Sequence, residues 1–258
     1  MSVMDKDFEN HLVGEWFEEM QKPLPYFVES ALDPIIINTI KQACDIFRQT
    51  DQVFFSSVDV AEQYLILKEQ RGELVEDPLL LVITTIFIAS KFFGGGPTLG
   101  IEAVRTFLRK ITHVNYIPKD IKQTERDVLQ VLQFKIPATT ILDDFNVFFE
   151  KIIRNYNLQD ACRNLCVLLL MHLYGTKPKW LKQLKSIYKK EMRTLRYLLC
   201  TKLYLPAAVM ISAFKLTHYK NMIDINAMLE DIKTFTKIHP DHIQALSDII
   251  VEEHSNTE

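Results

Sequence analysis

The stretch LLLVITTIFIASKFF, residues 79–93, decides the fold, and the residues GGGP follow it at 94–97. Apolar side chains cover nearly the whole circumference of a helix formed by these residues, so the helix belongs in the middle of a bundle. Frequent Val and Ile also fit a strand, but the length of the stretch and the helical periods on either side favour a helix. It is too short to span a bilayer, and the glycines suit a helix C-terminus.

Length and composition indicate a folded protein of one large domain or two ordinary ones. The chain has 258 residues, of which 48% are hydrophobic, enough for packed cores. The net charge of -3 gives no overall attraction to nucleic acid or to a membrane. Residues 1–10 lack the basic and apolar regions of a secretory signal, so we expect the chain in the cytoplasm or nucleus, with its four cysteines reduced.

Helical periods on both sides of the central stretch predict a bundle. An amphipathic helix is predicted over 6–21, followed by five helices. The first of the five starts at Asp33-Pro34, the second at Ser56 or Ser57, the central one at Asp77-Pro78, the fourth at Ile101 and the fifth at Pro118. After the fifth helix, residues 134–137 are predicted to be extended.

Glu125 is a carboxylate on an otherwise apolar stripe of the fifth helix, which includes Ile121 and Leu129. An unpaired charge on a buried face is costly, so this residue needs a partner. Lys91, the single cation at the end of the central helix, is the natural candidate. In the alternative interpretation Lys91 only complements its helix dipole, and Glu125 is a surface acid beside Lys122.

The second half of the chain repeats the pattern. Helices are predicted over 140–156, 160–174, 204–218, 225–238 and 240–254, and the apolar, small-residue stretch 205–214 is the predicted core helix. We therefore predict an all-α chain of two tandem five-helix units behind an N-terminal helix. The predicted boundaries are 1–33 for the N-terminal helix and linker, 34–138 for the first unit and 139–258 for the second.

Positive charge is concentrated in a segment of the second unit, residues 177–202. It contains nine Lys and Arg residues against Glu191 alone. Such a run is commonly a solvated helix face, but it also fits contact with an acidic protein surface or a DNA backbone. The candidate contact residues are Lys182, Lys185, Lys189 and Lys190.

Other motifs do not indicate catalysis. Cys162 and Cys166 lie four residues apart with His172 nearby, which fits metal ligands or, more simply, buried thiols. The glycine run follows a helix and lacks the Gly-Lys-Ser/Thr ending of a phosphate loop, so it is interpreted as a connector. The sequence shows no nucleophile with a base, no carboxylate dyad and no dinucleotide fingerprint, so we predict a binding module without cofactor or metal.

Two motifs together resemble the cyclin box. They are IFIASKF at 86–92 and, about thirty residues later, TERDVLQVLQFKIPAT at 124–139, which fits the pattern E-x-x-x-L-x-x-L-x-F-x-I-x-x-x-T. The resemblance covers residues 34–139, and the second half resembles the family's weaker second repeat. It implies that Lys91 and Glu125 stand side by side at a kinase-binding face, with their motif neighbours Phe92 and Leu129.

The departures from the family pattern identify an atypical member. Cell-cycle cyclins carry a Met-Arg-x-Ile-Leu patch ending in Asp-Trp, which docks substrate peptides. Here the corresponding segments, 36–40 and 44–47, read IINTI and CDIF, so the arginine and tryptophan are missing. An acidic residue expected just after Tyr64 is Leu65 or Ile66. The sequence is most similar to the meiotic cyclin N-terminal domain-containing type, which is involved in crossover maturation.

The resemblance implies a regulatory subunit that binds a cyclin-dependent kinase, controls its activity and is not an enzyme. It also implies a nuclear location, with the cytoplasm as the alternative, and other chromosome-associated partners. Two alternatives remain open. One is a cyclin-fold scaffold that activates no kinase, and the other is a nucleic-acid-associated factor of the transcription factor IIB kind. The near-neutral net charge argues against nucleic-acid binding, and no membrane association is expected.

Overall fold

The computed structural model describes residues 20, 22, 32–93, 98–156, 160–217 and 224–255. These residues form twelve α-helices and no strand, which confirms the predicted all-α class. The helices are α1 (Pro34–Ile46), α2 (Asp51–Gln70), α3 (Pro78–Phe92), α4 (Ile101–Thr112), α5 (Pro118–Val131), α6 (Ile141–Tyr156), α7 (Asp160–Gly175), α8 (Lys177–Ile187), α9 (Met192–Cys200), α10 (Tyr204–Leu216), α11 (Ile225–Thr236) and α12 (Pro240–Ser255).

The first compact unit, Ser30–Leu142, contains α1 to α5 and is built around α3. Asp77 caps α3 by accepting a hydrogen bond from the backbone N–H of Leu80, and Pro78 occupies the first turn. Every residue from 80 to 90 is buried, and α3 contacts all four of the other helices. The stretch that is apolar all round is therefore the core helix of this unit, as its composition predicts.

The start of α2 differs from the sequence prediction. The helix begins at Asp51 rather than at Ser56 or Ser57. The Ser57 hydroxyl does not cap the helix, because it donates to the carbonyl of Val53 inside it. Phe54 and Phe55 are buried in the first turn and a half of this helix, so tertiary packing makes the helix begin before the serines that the sequence suggested as its start.

The second unit contains α6 to α12, and α10 is its core helix. Every residue from 206 to 214 is buried, and α10 contacts α7, α9, α11 and α12. The Ser212 hydroxyl donates to its own helix at Ala208 and also reaches the backbone and hydroxyl oxygens of Ser247 on α12. The predicted core helix of the second half is thus confirmed, and a buried hydrogen bond links it to α12.

The basic segment 177–202 adds two helices, α8 and α9, so the ten helices predicted are too few for the described residues. Trp180, Leu181 and Leu184 form the buried side of α8, while Leu195 and Leu198 do the same for α9. These apolar positions follow a helical period. The high lysine content obscured that period in the sequence.

The segment 134–137, predicted to be extended, begins instead with a turn. Gln133 and Phe134 have φ of 54° and 58°, in the left-handed region, and the Phe134 N–H donates to the carbonyl of Leu129. The chain therefore closes the helix with a tight left-handed turn before it reaches residues 135–137.

Two predicted features lie outside the described residues: the N-terminal helix over 6–21, apart from Met20, and the glycine run at 94–97. In the part of the chain that is described, no single helix has the length and apolar character of a membrane span. The pair α9 and α10 passes that test by length and composition alone, with an 88° bend between its helices.

Candidate functional site

Lys91 and Glu125 form the predicted ion pair. Lys91 lies in the last turn of α3 and Glu125 in the middle of α5, and their Nζ and Oε1 atoms are 2.5 Å apart. The lysine side chain is 39% exposed and the glutamate side chain 18%, so the pair is partly buried. A pair with this exposure contributes at most about 1 kcal/mol to the free energy of unfolding, because solvent screens it.

Phe87 adds a contact that the sequence analysis missed. The Lys91 ammonium lies 3.7 Å from the centroid of the Phe87 ring, one helical turn earlier on α3. A cation over an aromatic face is attracted by the ring's quadrupole. Lys91 is therefore held from two sides, and the i, i+4 spacing of Phe87 and Lys91 was the signal that could have revealed it.

Phe92 and Leu129, the other two predicted site residues, have different environments. The Phe92 side chain is 60% exposed, directly after Lys91 at the end of α3. Leu129 is half-buried, one turn after Glu125, and packs against a core cluster that includes Val60 and Ile88. Phe92 is thus available to a partner, whereas Leu129 mainly anchors α5 to the core.

Phe134 is a second exposed aromatic residue, at the end of α5. It is 69% exposed, and its φ of 58° is an uncommon conformation for a bulky residue. Arg48, His113 and Lys237 also have positive φ just after a helix, so the conformation itself is a way of ending a helix in this chain. The F of the quoted motif was the sequence signal for this residue, but no local pattern indicated its exposure or its left-handed turn.

A polar network holds α5 against α2. The Tyr64 hydroxyl donates to Asp127 Oδ2 at 2.6 Å, and Lys68 Nζ lies 3.4 Å from the same oxygen and 2.7 Å from Glu73. Burial, followed by the hydrogen bond to Asp127, raises the pKa of Tyr64 to about 12. The tyrosine therefore stays protonated and donating, which fixes the orientation of the helix that carries Glu125.

The other end of α3 is tied down as well. The Tyr116 hydroxyl, in the segment between α4 and α5, donates to Asp77, the residue that caps α3. Near the C-terminal end, the Ser90 hydroxyl accepts a hydrogen bond from the Leu99 N–H at 3.3 Å. Both ends of the core helix are thus linked to neighbouring segments, so Lys91 and Phe92 lie on a rigid support.

The cysteine pair that fits metal ligands by its spacing is not part of a candidate metal site in the described residues. No group of three or more His, Cys, Asp or Glu side chains there could hold a metal ion. Cys162 and Cys166 are buried thiols; burial raises the pKa of Cys166, and a hydrogen bond with Cys166 lowers the pKa of Cys162. These two cysteines therefore have the environment of core residues.

The four lysines of the basic segment do not share one environment. Lys182, on α8, is exposed, as are Lys189 and Lys190 in the turn that follows. Lys185 is half-buried and takes part in an interaction of its own. Three of the four predicted contact residues are therefore presented to solvent.

Comparison with known families now identifies the first unit. Residues 18–137 match the model of the cyclin N-terminal domain. This segment is similar to a cyclin box. Both resemblance motifs lie within the matched segment or at its end, and Lys91 and Glu125 are adjacent in the structure, as the cyclin box implies. Proteins with this fold are generally regulatory rather than catalytic.

One solved structure shows that the likeness extends beyond the first unit. The chain is similar to a viral cyclin from herpesvirus saimiri, with a TM-score of 0.57 over 85% of this chain and 84% of that one. The two sequences are 12% identical, so the similarity shows a shared fold. Comparison with curated proteins found no match.

Proposed function

We propose that this protein binds a protein kinase of the cyclin-dependent type through the end of α3 and the length of α5, and controls its activity. The chain itself then acts as a regulatory subunit, and the chemistry is that of the kinase. The proposal is supported by the cyclin-box match and by the arrangement of Lys91, Glu125, Phe92 and Phe134.

The observation that carries the proposal is the Lys91–Glu125 ion pair together with an exposed aromatic residue near the end of each of its two helices. Phe92 follows Lys91 directly, and Phe134 lies in the turn after the helix that bears Glu125. Their exposed fractions are 60% and 69%. Large aromatic side chains that a free protein leaves in water are typical anchors of protein interfaces, and an adjacent fixed charge pair supplies orientation.

Rigidity explains how such a surface would control a kinase. A cyclin-dependent kinase is active when its helix C is held in place, so its activating partner must present a rigid surface. The ties at both ends of α3 and the Tyr64–Asp127 hydrogen bond provide that stiffness. A cyclin box of this kind shifts the kinase toward its active state by binding that state more tightly.

The proposed setting is the nucleus, with meiotic crossover maturation as the process and chromosome-associated proteins as further partners. This part rests on the resemblance to the meiotic cyclin N-terminal domain-containing type. It is tested by localisation of the tagged protein in meiotic cells, where we expect nuclear signal. A tagged protein confined to the cytoplasm would contradict it.

The experiment for kinase binding uses two matched lysines. Lys91→Ala removes a cation from the proposed surface, while Lys215→Ala removes a cation with the same kind of partner, Asp248, in the second unit. Tagged wild-type and variant chains are expressed in the tissue that makes the protein, and captured kinases are quantified by mass spectrometry. We expect wild type and Lys215→Ala to capture the same cyclin-dependent kinase and Lys91→Ala to capture several-fold less.

Two results would contradict the proposal. One is a folded wild-type chain that captures no cyclin-dependent kinase. The other is equal capture by Lys91→Ala and Lys215→Ala, which would remove this surface from the interface. Circular dichroism of each purified variant confirms folding, and a predominantly helical spectrum is expected for all of them.

A further inference from the structure

The surface that α8, the turn after it and α9 present to solvent combines positive charge with apolar side chains. We call it the basic face and define it by eight exposed residues: Lys182, Ile187, Lys189, Lys190, Met192, Arg193, Arg196 and Tyr197. It lies wholly in the second unit, so nothing in it depends on the proposed kinase surface. Its composition differs from that of an ordinary solvated helix.

The five cations of the basic face lack acidic partners. Among the described residues, none of them forms an ion pair, although ion pairs such as Lys91–Glu125 and Lys215–Asp248 form elsewhere in that part of the chain. Glu191, itself exposed, is the single acid in the segment 177–202. In a chain with a net charge of -3, this concentration of unpaired cations produces a local positive potential that attracts an acidic partner.

Three apolar side chains lie among the cations. Ile187 is 57% exposed, Met192 36% and Tyr197 56%. They are not needed for the core, because Trp180, Leu184, Leu195 and Leu198 already fill the buried sides of the two helices. Exposed aliphatic and aromatic groups inside a charged surface are typical of protein recognition sites.

The helical period places charge and apolar groups on one side of α9. Arg193, Arg196 and Tyr197 follow i, i+3, i+4 spacing, while Leu195 and Leu198 point to the core. On α8, the Trp180 Nε1–H donates to the carbonyl of Leu173 at 2.9 Å, which fixes the helix on α7. The basic face is therefore preorganised rather than a flexible loop.

We propose that the basic face binds an acidic peptide segment of a partner protein, one in which glutamates or aspartates alternate with leucines or other apolar anchors. The carboxylates would pair with the exposed Lys and Arg side chains, and the anchors would cover Ile187, Met192 and Tyr197. Nucleic acid is a poorer match. A single aromatic residue offers little base stacking, and two of the three apolar groups are aliphatic.

The test measures fluorescence polarisation of three labelled probes with the full chain. The first probe is a short peptide of alternating glutamates and leucines, the second replaces every leucine by serine at the same charge, and the third is a single-stranded oligothymidylate of similar length. We expect the first peptide to bind at least about fivefold more tightly than the other two, with an affinity that falls as salt rises.

Two variants assign the binding to this surface. Lys189→Glu/Lys190→Glu should lower the affinity for the first peptide at least about tenfold. Lys41→Glu/Lys110→Glu makes an equal charge change at exposed sites of the first unit and should change that affinity less than about twofold. Ile187→Ser/Tyr197→Ser should lower the affinity for the leucine peptide to that for the serine peptide.

Three outcomes overturn the proposal. Equal binding of the leucine and serine peptides would mean that the apolar groups are not used. Tighter binding of the oligothymidylate would identify a nucleic-acid surface, and no saturable binding of any probe would leave the basic face as a solvated one. Circular dichroism excludes unfolding, and because all of the face residues are exposed, their substitution should leave the helical signal unchanged.

Discussion

The core helices of the two units end in the same way. Lys91, in the last turn of α3, pairs with Glu125 on α5. Lys215, in the last turn of α10, pairs with Asp248 on α12 at 2.7 Å. In both units the final helix supplies the acid and begins with a proline. An ion pair between the core helix and the last helix is therefore a feature of this repeat and does not by itself mark a binding site.

The surroundings of the two pairs differ. Lys91 also lies over the Phe87 ring, whereas Asp248 also accepts from the Gln244 amide at 2.8 Å and is 62% exposed. Helix α3 ends in the exposed Phe92, while α10 and α12 contain no large exposed hydrophobic residue. Exposed aromatic residues, and not the charge pair, therefore distinguish the candidate binding surface from its structural counterpart.

The largest expected effect comes from removing those aromatic residues. Phe92→Ala/Phe134→Ala should lower kinase capture at least about tenfold, because truncating interface aromatics commonly costs more than 1 kcal/mol each. Leu74→Ala/Leu168→Ala, which removes two other exposed hydrophobic groups, is the matched control and should leave capture unchanged. If both double variants behave alike, the aromatic residues do not set the two units apart.

The next effect concerns the ion pair in the first unit. Lys91→Ala and Glu125→Ala should each lower kinase capture several-fold, and the double variant should lose less than the product of the two factors because both act through one interaction. The same three substitutions made at Lys215 and Asp248 should leave capture unchanged. Multiplicative losses at Lys91 and Glu125 would show that the two residues contact the kinase independently.

A smaller effect on stability distinguishes the two core helices. Ser212→Ala should lower the free energy of unfolding by about 1–2 kcal/mol, because it leaves the buried Ser247 hydroxyl without its partner. Thr84→Val in α3 should change it by less than about 0.5 kcal/mol, since the Thr84 hydroxyl donates only to the carbonyl of Leu80 in its own helix. Urea unfolding of both variants measures the difference, and equal losses would contradict it.

The smallest expected signal is the reactivity of the thiols. Burial raises the pKa of Cys44 to about 12, and Cys162 and Cys166 are buried as well, whereas Cys200 is partly exposed. A thiol reagent at pH 8 should therefore modify Cys200 quickly and the other three only on unfolding, because burial keeps the reagent away from their sulfur atoms, including that of Cys162 with its lowered pKa. Cys200→Ser should abolish the fast phase. Rapid modification of Cys44 would show that the first unit opens more readily than its packing implies.

Much of the fold could be predicted from the sequence because long apolar periods determine helices locally. The stretches 79–93 and 205–214 are apolar all round, and each forms the core helix of its unit. The start of α2 and the presence of helices α8 and α9 were not predicted from the sequence. At those positions, packing of Phe54, Trp180 and Leu195 outweighs a serine start signal and a high lysine content.

The sequence by itself determined the helical class, the two core helices and the pairing of Lys91 with Glu125, because each depends on period, composition or a charge on an apolar stripe. Only the tertiary structure decided which side chains remain exposed. The exposure of Phe92 and Phe134, the left-handed turn at Phe134 and the parallel between Lys215 and Lys91 all depend on how helices pack. A side chain's burial is set by neighbours that are distant in sequence, so no local pattern could have given it.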